Sequence, residues 1–331
     1  MPTSQEFSLR KRGRIFAPIE AQSFHVVVVD NRVVVFRLNM HKHSLAILLL
    51  CLFLAPVFPV PVYAQSDQVA TKDSSTIASI ALASLLPVGM ISGALTLNYL
   101  TFWRYANQVP WHWSNDPPYA MHIDKFAHFD LSAAGSDGMA WAYRSAGVKP
   151  ETSVWLGAGI MFATGVLIEM EDARHGWSAE YGFSPGDATG DLLGSALPVL
   201  RYYYPFFNRL STKLSLWPSD VLKQGAYKTI ADDYESQFFW LSWDVHDVTP
   251  LPSWLNIALG FSAENLLPAD FLPSRKGTTP YTDVYISPDI NLAGIQIEGE
   301  FWRVFTSIMS YVRIPLPSLQ FYPRFKFWWL R

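Results

Sequence analysis

The sequence predicts an α+β protein: a compact bundle of about four helices followed by a small antiparallel β-sheet with one packed helix. Three observations predict it. Apolar runs of helical length, each ended by a polar cluster or a Pro/Gly turn, fill residues 77–205. Beyond about 230 the texture changes to alternation with dense aromatics, broken by Pro-rich turns. Late in that half, Phe301, Val304, Phe305, Ile308 and Val312 recur at three and four residues, the spacing of one helix face.

The segments ahead of the bundle read as processing signals rather than fold. Met40-His41-Lys42-His43 opens an apolar stretch from Leu45 to Val60, and Val62-Tyr63-Ala64 precedes Gln65. That is the layout of a secretory signal over 40–64, with cleavage after Ala64. Residues 1–39 lie upstream of the start at Met40 and are expected to be a start-site overcall. Residues 65–76, rich in Ser, Thr and Asp, form a linker. The single cysteine, Cys51, falls inside the signal, so the exported product carries no thiol and no disulfide, and thiol catalysis is excluded. Leu48-Leu49-Leu50 before Cys51 lack the small residues of a lipobox, which argues against lipidation. Residues 1–64 hold 7 of the 25 basic and 3 of the 28 acidic residues, which leaves the exported body at a net charge of about −7 and poorly suited to nucleic acid.

The helices follow in order. From Ile77 to Trp103 there is no charged residue. That length crosses the roughly 30 Å hydrocarbon layer or makes a buried core helix, with Pro87 and Gly89 as kinks. Residues 104–123 form a loop carrying Trp111, Trp113, Pro110, Pro117 and Pro118. The next helix, 124–146, contains Asp130, Asp137 and Arg144, so it cannot face lipid all round. Its two later acids, with Glu171, are expected to be solvated or paired locally. A turn at Gly147–Pro150 leads to a helix over 152–168, where Gly157, Gly159, Ala163 and Gly165 permit close backbone approach. Ser184-Pro185-Gly186-Asp187 then opens a helix running to about Tyr203. The helical core is thus 77–229 and the β-rich region 230–331, with strands over 237–245, 254–263, 283–292 and 314–328. Four strands fall short of the roughly eight of the smallest membrane barrels, so this half reads as a small sheet.

Antiparallel helices joined by short loops bring three polar clusters to one side. They are Asp124-Lys125-Phe126-Ala127-His128, then Glu169 to Asp172, then Asp187 with Asp191 and Gly194. Spacings of three and four put each set on one helix face. In a chemical reading, His128, Glu169, Asp172 and Asp187 are the acid–base candidates, His128, Glu169 and Asp187 a divalent-metal set, and Lys125 and His175 contacts for an anionic group. In a structural reading the same residues form a polar knot. Ser184, Pro185 and Asp187 then fit the N-cap, first and third positions of a capping box, Asp124 suits a helix start, and Asp191 and Gly194 extend the stripe. No cofactor is expected beyond a possible divalent metal in the chemical reading. His112, His122 and His246 read as structural hydrogen-bonding groups. Hydrolase, P-loop, zinc-protease and paired C-x-x-C signatures are absent from the sequence.

At Trp113-Ser114-Asn115-Asp116, at His122 through His128, at Glu169 and Asp172, and at Gly182-Phe183-Ser184-Pro185-Gly186-Asp187 with Gly194, the sequence resembles the YfiM-like family of predicted periplasmic lipoproteins, a domain of unknown function. The C-terminal half resembles it too, at Phe239-Trp240-Leu241-Ser242, Trp254-Leu255-Asn256 with Gly260, and Tyr285-Ile286-Ser287 with Asp289, so the likeness runs from about 95 to the end. The helical core is also similar in motif order to VanZ-like membrane proteins, which pair a D-K-x-x-H opening with a later Glu and an Asp-to-Asn helix start. Asp191 stands where that pattern has Asn, and Asp172 where it has Gln. The resemblance implies an exported, membrane-associated envelope protein of a double-membraned bacterium, with membrane or envelope lipid as partner, protein partners open, and no assigned reaction. The expectation is a non-enzymatic structural or binding component. The alternative is a metal-dependent or acid/base enzyme acting on an anionic envelope lipid or glycan precursor.

Overall fold

A computed structural model describes residues 24–29, 32–37, 77–114, 119–176, 182–225, 230, 233–266 and 278–331. The chain divides into two units, Met1–Leu48 and Leu49–Arg331. In the first, the Val-rich strands β1 (Phe24–Val29) and β2 (Arg32–Arg37) pair antiparallel along their full length. The expected signal at 40–64 and linker at 65–76 lie outside the described residues.

The second unit is α+β, as the sequence patterning predicts. Helices α1 (Ile77–Ala83) and α2 (Leu85–Thr101) make one uncharged run. The break between them follows from Pro87, which has no N–H to return to Ala83, while Ser84 and Val88 keep their bonds to Ile80 and Ser84. The core of the bundle is α3 (Ile123–Ser145), α4 (Pro150–Asp172) and α5 (Pro185–Tyr203). Pro150 and Pro185 each occupy a first-turn position, where a missing N–H costs nothing. The middle of α3 is a buried run of small residues, Ser132 to Ser136, which lets both neighbours approach closely. A two-residue ladder, β3 (Asn107–Gln108) on β4 (His175–Gly176), ties the loop after α2 to the end of α4.

Among the described residues, six strands form one antiparallel meander: β5 (Leu210–Leu216), β6 (Gln237–Trp243), β7 (Leu255–Glu264), β8 (Tyr281–Ile290), β9 (Ser318–Tyr322) and β10 (Lys326–Trp328). A one-turn helix, α6 (Asp220–Lys223), follows β5, and α7 (Glu300–Met309) precedes β9. The stretch leading into β9 returns to the free edge of β5, where Leu214 bonds Tyr311 and Arg313 through their backbones. The meander therefore curls back on itself.

Three expectations need correction. The boundary at 229/230 is late by one strand, because β5 pairs residue for residue with β6. Its Ser211, Lys213 and Ser215 point to a polar sheet interior, so β5 lacks the apolar density that marks its neighbours. Residues 314–328 are two strands, not one, with Pro323 in the turn between them. Asp130 and Asp137 are neither solvated nor locally paired. Both are buried, and Asp137 accepts from Arg201 on α5 at 2.8 Å and from the Tyr311 hydroxyl. Helical spacing alone does not show which face of a helix meets a distant cation.

Candidate functional site

The three clusters meet where α3 begins, α4 ends and α5 begins. His128, on the second turn of α3, is held at Nδ1 by Asp191 Oδ2 of α5 at 3.1 Å. One turn along α3, Ser132 donates to Asp191 Oδ1 at 2.6 Å, so both oxygens of that carboxylate are engaged. His128 Nε2 faces Glu169 Oε1 of α4 across 3.9 Å, and the other Glu169 oxygen accepts the Ser184 backbone N–H at 2.8 Å. Ligand atoms of His128, Glu169 and Asp191 lie within 4.8 Å of one another. Asp191 is thus the nearest acid to the His128–Glu169 pair, where the sequence pattern put Asp187.

Asp187 serves the neighbouring position. Its backbone N–H donates to Ser184 Oγ at 3.0 Å, the N-cap half of the capping box, and its carboxylate accepts from Lys125 at 3.1 Å. The reciprocal half is taken over by Glu169, which reaches across from α4 to the Ser184 amide. Lys125 also donates to Asp124 at 2.9 Å, so its charge is shared between the starts of α3 and α5. The second Asp124 oxygen is buried without a hydrogen-bond partner among the described residues.

Two glycines set the closeness of this packing. A Cβ on Gly194 would stand 2.1 Å from the Phe129 carbonyl oxygen, so α5 lies directly on the α3 backbone. A Cβ on Gly165 would stand 2.3 Å from Asp191 Oδ2, so that carboxylate rests on α4. Ser132 is the member of the site missing from the sequence argument. It lies four residues after His128, and extending the Asp124–His128 stripe by one more turn would have found it.

Asp172 and His175 belong to a separate grouping. Asp172 accepts from the Trp103 indole at 2.5 Å, His175 stacks on the Trp103 ring at 5.8 Å, and His175 Nδ1 lies 2.6 Å from the Glu171 carbonyl. A cleft of about 470 Å³ opens beside them, lined by Gln108, Val109, Trp111, Glu171, Arg174 and His175. Glu171 itself pairs locally with Arg174 at 2.9 Å. His246 lies between Asp244 and Asp247, in keeping with a structural role.

The electrostatics of the centre follow from its composition. Asp124, Glu169, Asp187 and Asp191 outnumber Lys125 and His128, and most of the cluster is withdrawn from water. Burial pushes the Glu169 carboxyl up to about 8, with Asp187 adding to the rise against the opposing pull of His128 and the Ser184 amide. Burial opposes the His128 imidazolium, yet the Asp191 hydrogen bond and the charges of Asp191, Asp187 and Glu169 outweigh it and raise the group to about 10. Asp124 is raised by burial and by Asp187. At neutral pH the centre thus holds a proton on Glu169 and a protonated His128 on Asp191.

Comparisons of the chain with protein-family models, with curated proteins and with solved structures give no match.

Proposed function

We propose that this chain is an exported, membrane-associated component of the cell envelope, and that its helix-end centre is a clamp rather than a reaction centre. The observation that carries the membrane part is the helical run Ser79–Tyr105, whose most apolar window is only 11% buried against the rest of the fold. Helix α4 meets the same length and hydropathy criteria, but it packs along α3 and α5 and carries Glu169 into the centre, so it reads as a core helix. The YfiM-like resemblance agrees with an envelope placement and with membrane or envelope lipid as partner.

The clamp reading rests on engagement. Both Asp191 oxygens, one Glu169 oxygen, Ser184 and Lys125 are already bonded within the protein, and each bond joins two of the three helix ends. His128→Ala and Glu169→Ala are expected to lower folding stability by about 1–3 kcal/mol for each stranded partner. The membrane part is tested by fractionation: the full chain should stay with membranes through alkaline carbonate extraction and float with vesicles. Recovery in the aqueous fraction would contradict it.

One observation favours a second reading. The 3.9 Å between His128 Nε2 and Glu169 Oε1 is too long for a hydrogen bond. Two ligand bonds of roughly 2.0–2.2 Å at a tetrahedral angle span about 3.4 Å, so the pair stands within about half an ångström of sharing one divalent ion. Asp191 on the other ring nitrogen is the carboxylate–histidine arrangement that orients metal-bound imidazoles. Such a centre, with Lys125 beside it, suits a metal-dependent or acid/base enzyme acting on an anionic envelope lipid or glycan precursor. A stoichiometric divalent ion in purified protein, lost in His128→Ala, would select this reading over the clamp.

A further inference from the structure

A sheet in a water-soluble protein buries its apolar face and presents its polar one. Here the sides are exchanged. Register partners Trp240, Gly260, Tyr285, Gln320 and Lys326 form one row across five strands. On that inner side Lys213 donates to Asp289 at 2.6 Å, Ser242 donates to the same carboxylate at 2.6 Å, and Arg313 stacks on Trp240, all buried. The adjacent row is Leu241, Leu259, Ile286, Leu319 and Phe327, and every one of these side chains is at least 36% exposed. Where the face meets the bundle, Phe126 of α3 stacks on Phe261 at 5.2 Å, and the exposed rows continue from that contact.

Several features say what covers the rest. Among the described residues, no charged side chain stands on the outward positions of β6 to β10. Strands β7 and β8 are ten residues each, within the roughly 9–11 that cross a hydrocarbon layer. Exposed aromatics bound the aliphatic rows at both ends, with Trp243 and Trp254 at one and Tyr322 and Phe325 at the other. Arg324, also exposed, lies in the β9–β10 turn beside the second pair. Aromatic and cationic groups at the margins of an apolar band suit the headgroup level of a bilayer. A second copy packed face to face would offer Arg324 no acid on the outward strand positions of this face. A hollow of about 320 Å³, lined by Leu251, Leu255, Ile257, Ile286 and Pro288 with Asn256 and Ser287, opens on the same face and is almost entirely apolar, as suits an acyl chain.

We propose that the outward face of the sheet is seated against lipid acyl chains, with the β9–β10 turn at the level of anionic headgroups. The inference rests on the membrane-associated reading above and adds a second contact surface to the α1–α2 run. It is tested on the full chain in a Cys51→Ser background. Single cysteines are introduced by Leu259→Cys, Leu319→Cys or, as a control on α6, Lys223→Cys, and carry an environment-sensitive fluorophore. The protein is reconstituted in phosphatidylethanolamine/phosphatidylglycerol vesicles containing doxyl-labelled acyl chains. Labels at 259 and 319 should be quenched several-fold more than the label at 223. Equal quenching at all three positions, in protein that floats with the vesicles, would overturn the lipid-seated face and leave the membrane reading standing. Labels at 259 and 319 already shielded from aqueous iodide in lipid-free protein would overturn it in favour of cover by the chain itself or by a second copy. Protein that does not float at all would end both readings.

Discussion

The helical centre and the sheet interior are both buried polar networks, but their charge is balanced differently. Inside the sheet, Asp289 meets Lys213 at 2.6 Å and Arg313 at 3.6 Å, and Glu264 meets Arg331 at 3.5 Å. At the helix ends, four carboxyls share one lysine and one histidine. A balanced network can be satisfied by fixed charges at any ordinary pH. An acid-rich one must take up protons or a cation, because several unpaired carboxylates cannot remain ionised together in a site withdrawn from water. The sheet network around Asp289 should therefore be insensitive to mild pH change, while its buried Asp283, raised to about 6 by burial and by Glu264, and the helical centre are the parts that respond.

The sharpest way to break this contrast is to delete one acid from each network. Asp289→Ala leaves Lys213 and Arg313 buried without their partner and should cost about 3–5 kcal/mol in denaturant unfolding of the purified protein. Asp191→Ala should cost less, about 1–3 kcal/mol, because His128 can give up its proton where Lys213 and Arg313 cannot so readily. Equal costs would remove the distinction. Gly194→Ala probes the packing that brings the helix ends together. Its new methyl meets the backbone of α3, so a loss of about 1–3 kcal/mol is expected from thermal or chemical unfolding. Ser184→Ala removes the cap on α5 and should cost about 1 kcal/mol in the same assay.

The pattern of what could be read from the sequence follows the same division. The helix-end motifs were legible because each cluster sits at a chain reversal, and a short antiparallel hairpin leaves little freedom in where those ends lie. Thus Asp124, Lys125, His128, Glu169, Ser184, Asp187 and Asp191 were all named from spacing, and the start of helix α5 was placed from Ser184-Pro185-Gly186-Asp187. Which acid faces the histidine was not legible. Asp187 and Asp191 differ by one helical turn, and only the packing of Gly165 against Asp191 selects the second. Strand β5 and the Asp137–Arg201–Tyr311 link were missed for another reason. Both depend on polar residues being inside, contrary to the rule by which a sequence is ordinarily divided into core and surface.

Glu169 holds a proton inside the clamp, and the most direct measurement of that is folding stability against pH for the native chain and Glu169→Gln. A carboxyl raised from 4.5 to about 8 on folding binds more protons in the native than in the unfolded state throughout that interval. Its stabilising contribution is present below about pH 4.5 and is lost as pH climbs to 8, at up to about 1.4 kcal/mol per pH unit. His128, raised from 6.5 to about 10, adds a loss of the same sign at higher pH. Glutamine resembles the protonated acid and can still accept the Ser184 N–H, so the variant should match the native chain near pH 5 and show a flatter decline up to pH 8. A variant destabilised at pH 5, or one whose decline is unchanged, would contradict the clamp and point to an ionised Glu169 that holds something else.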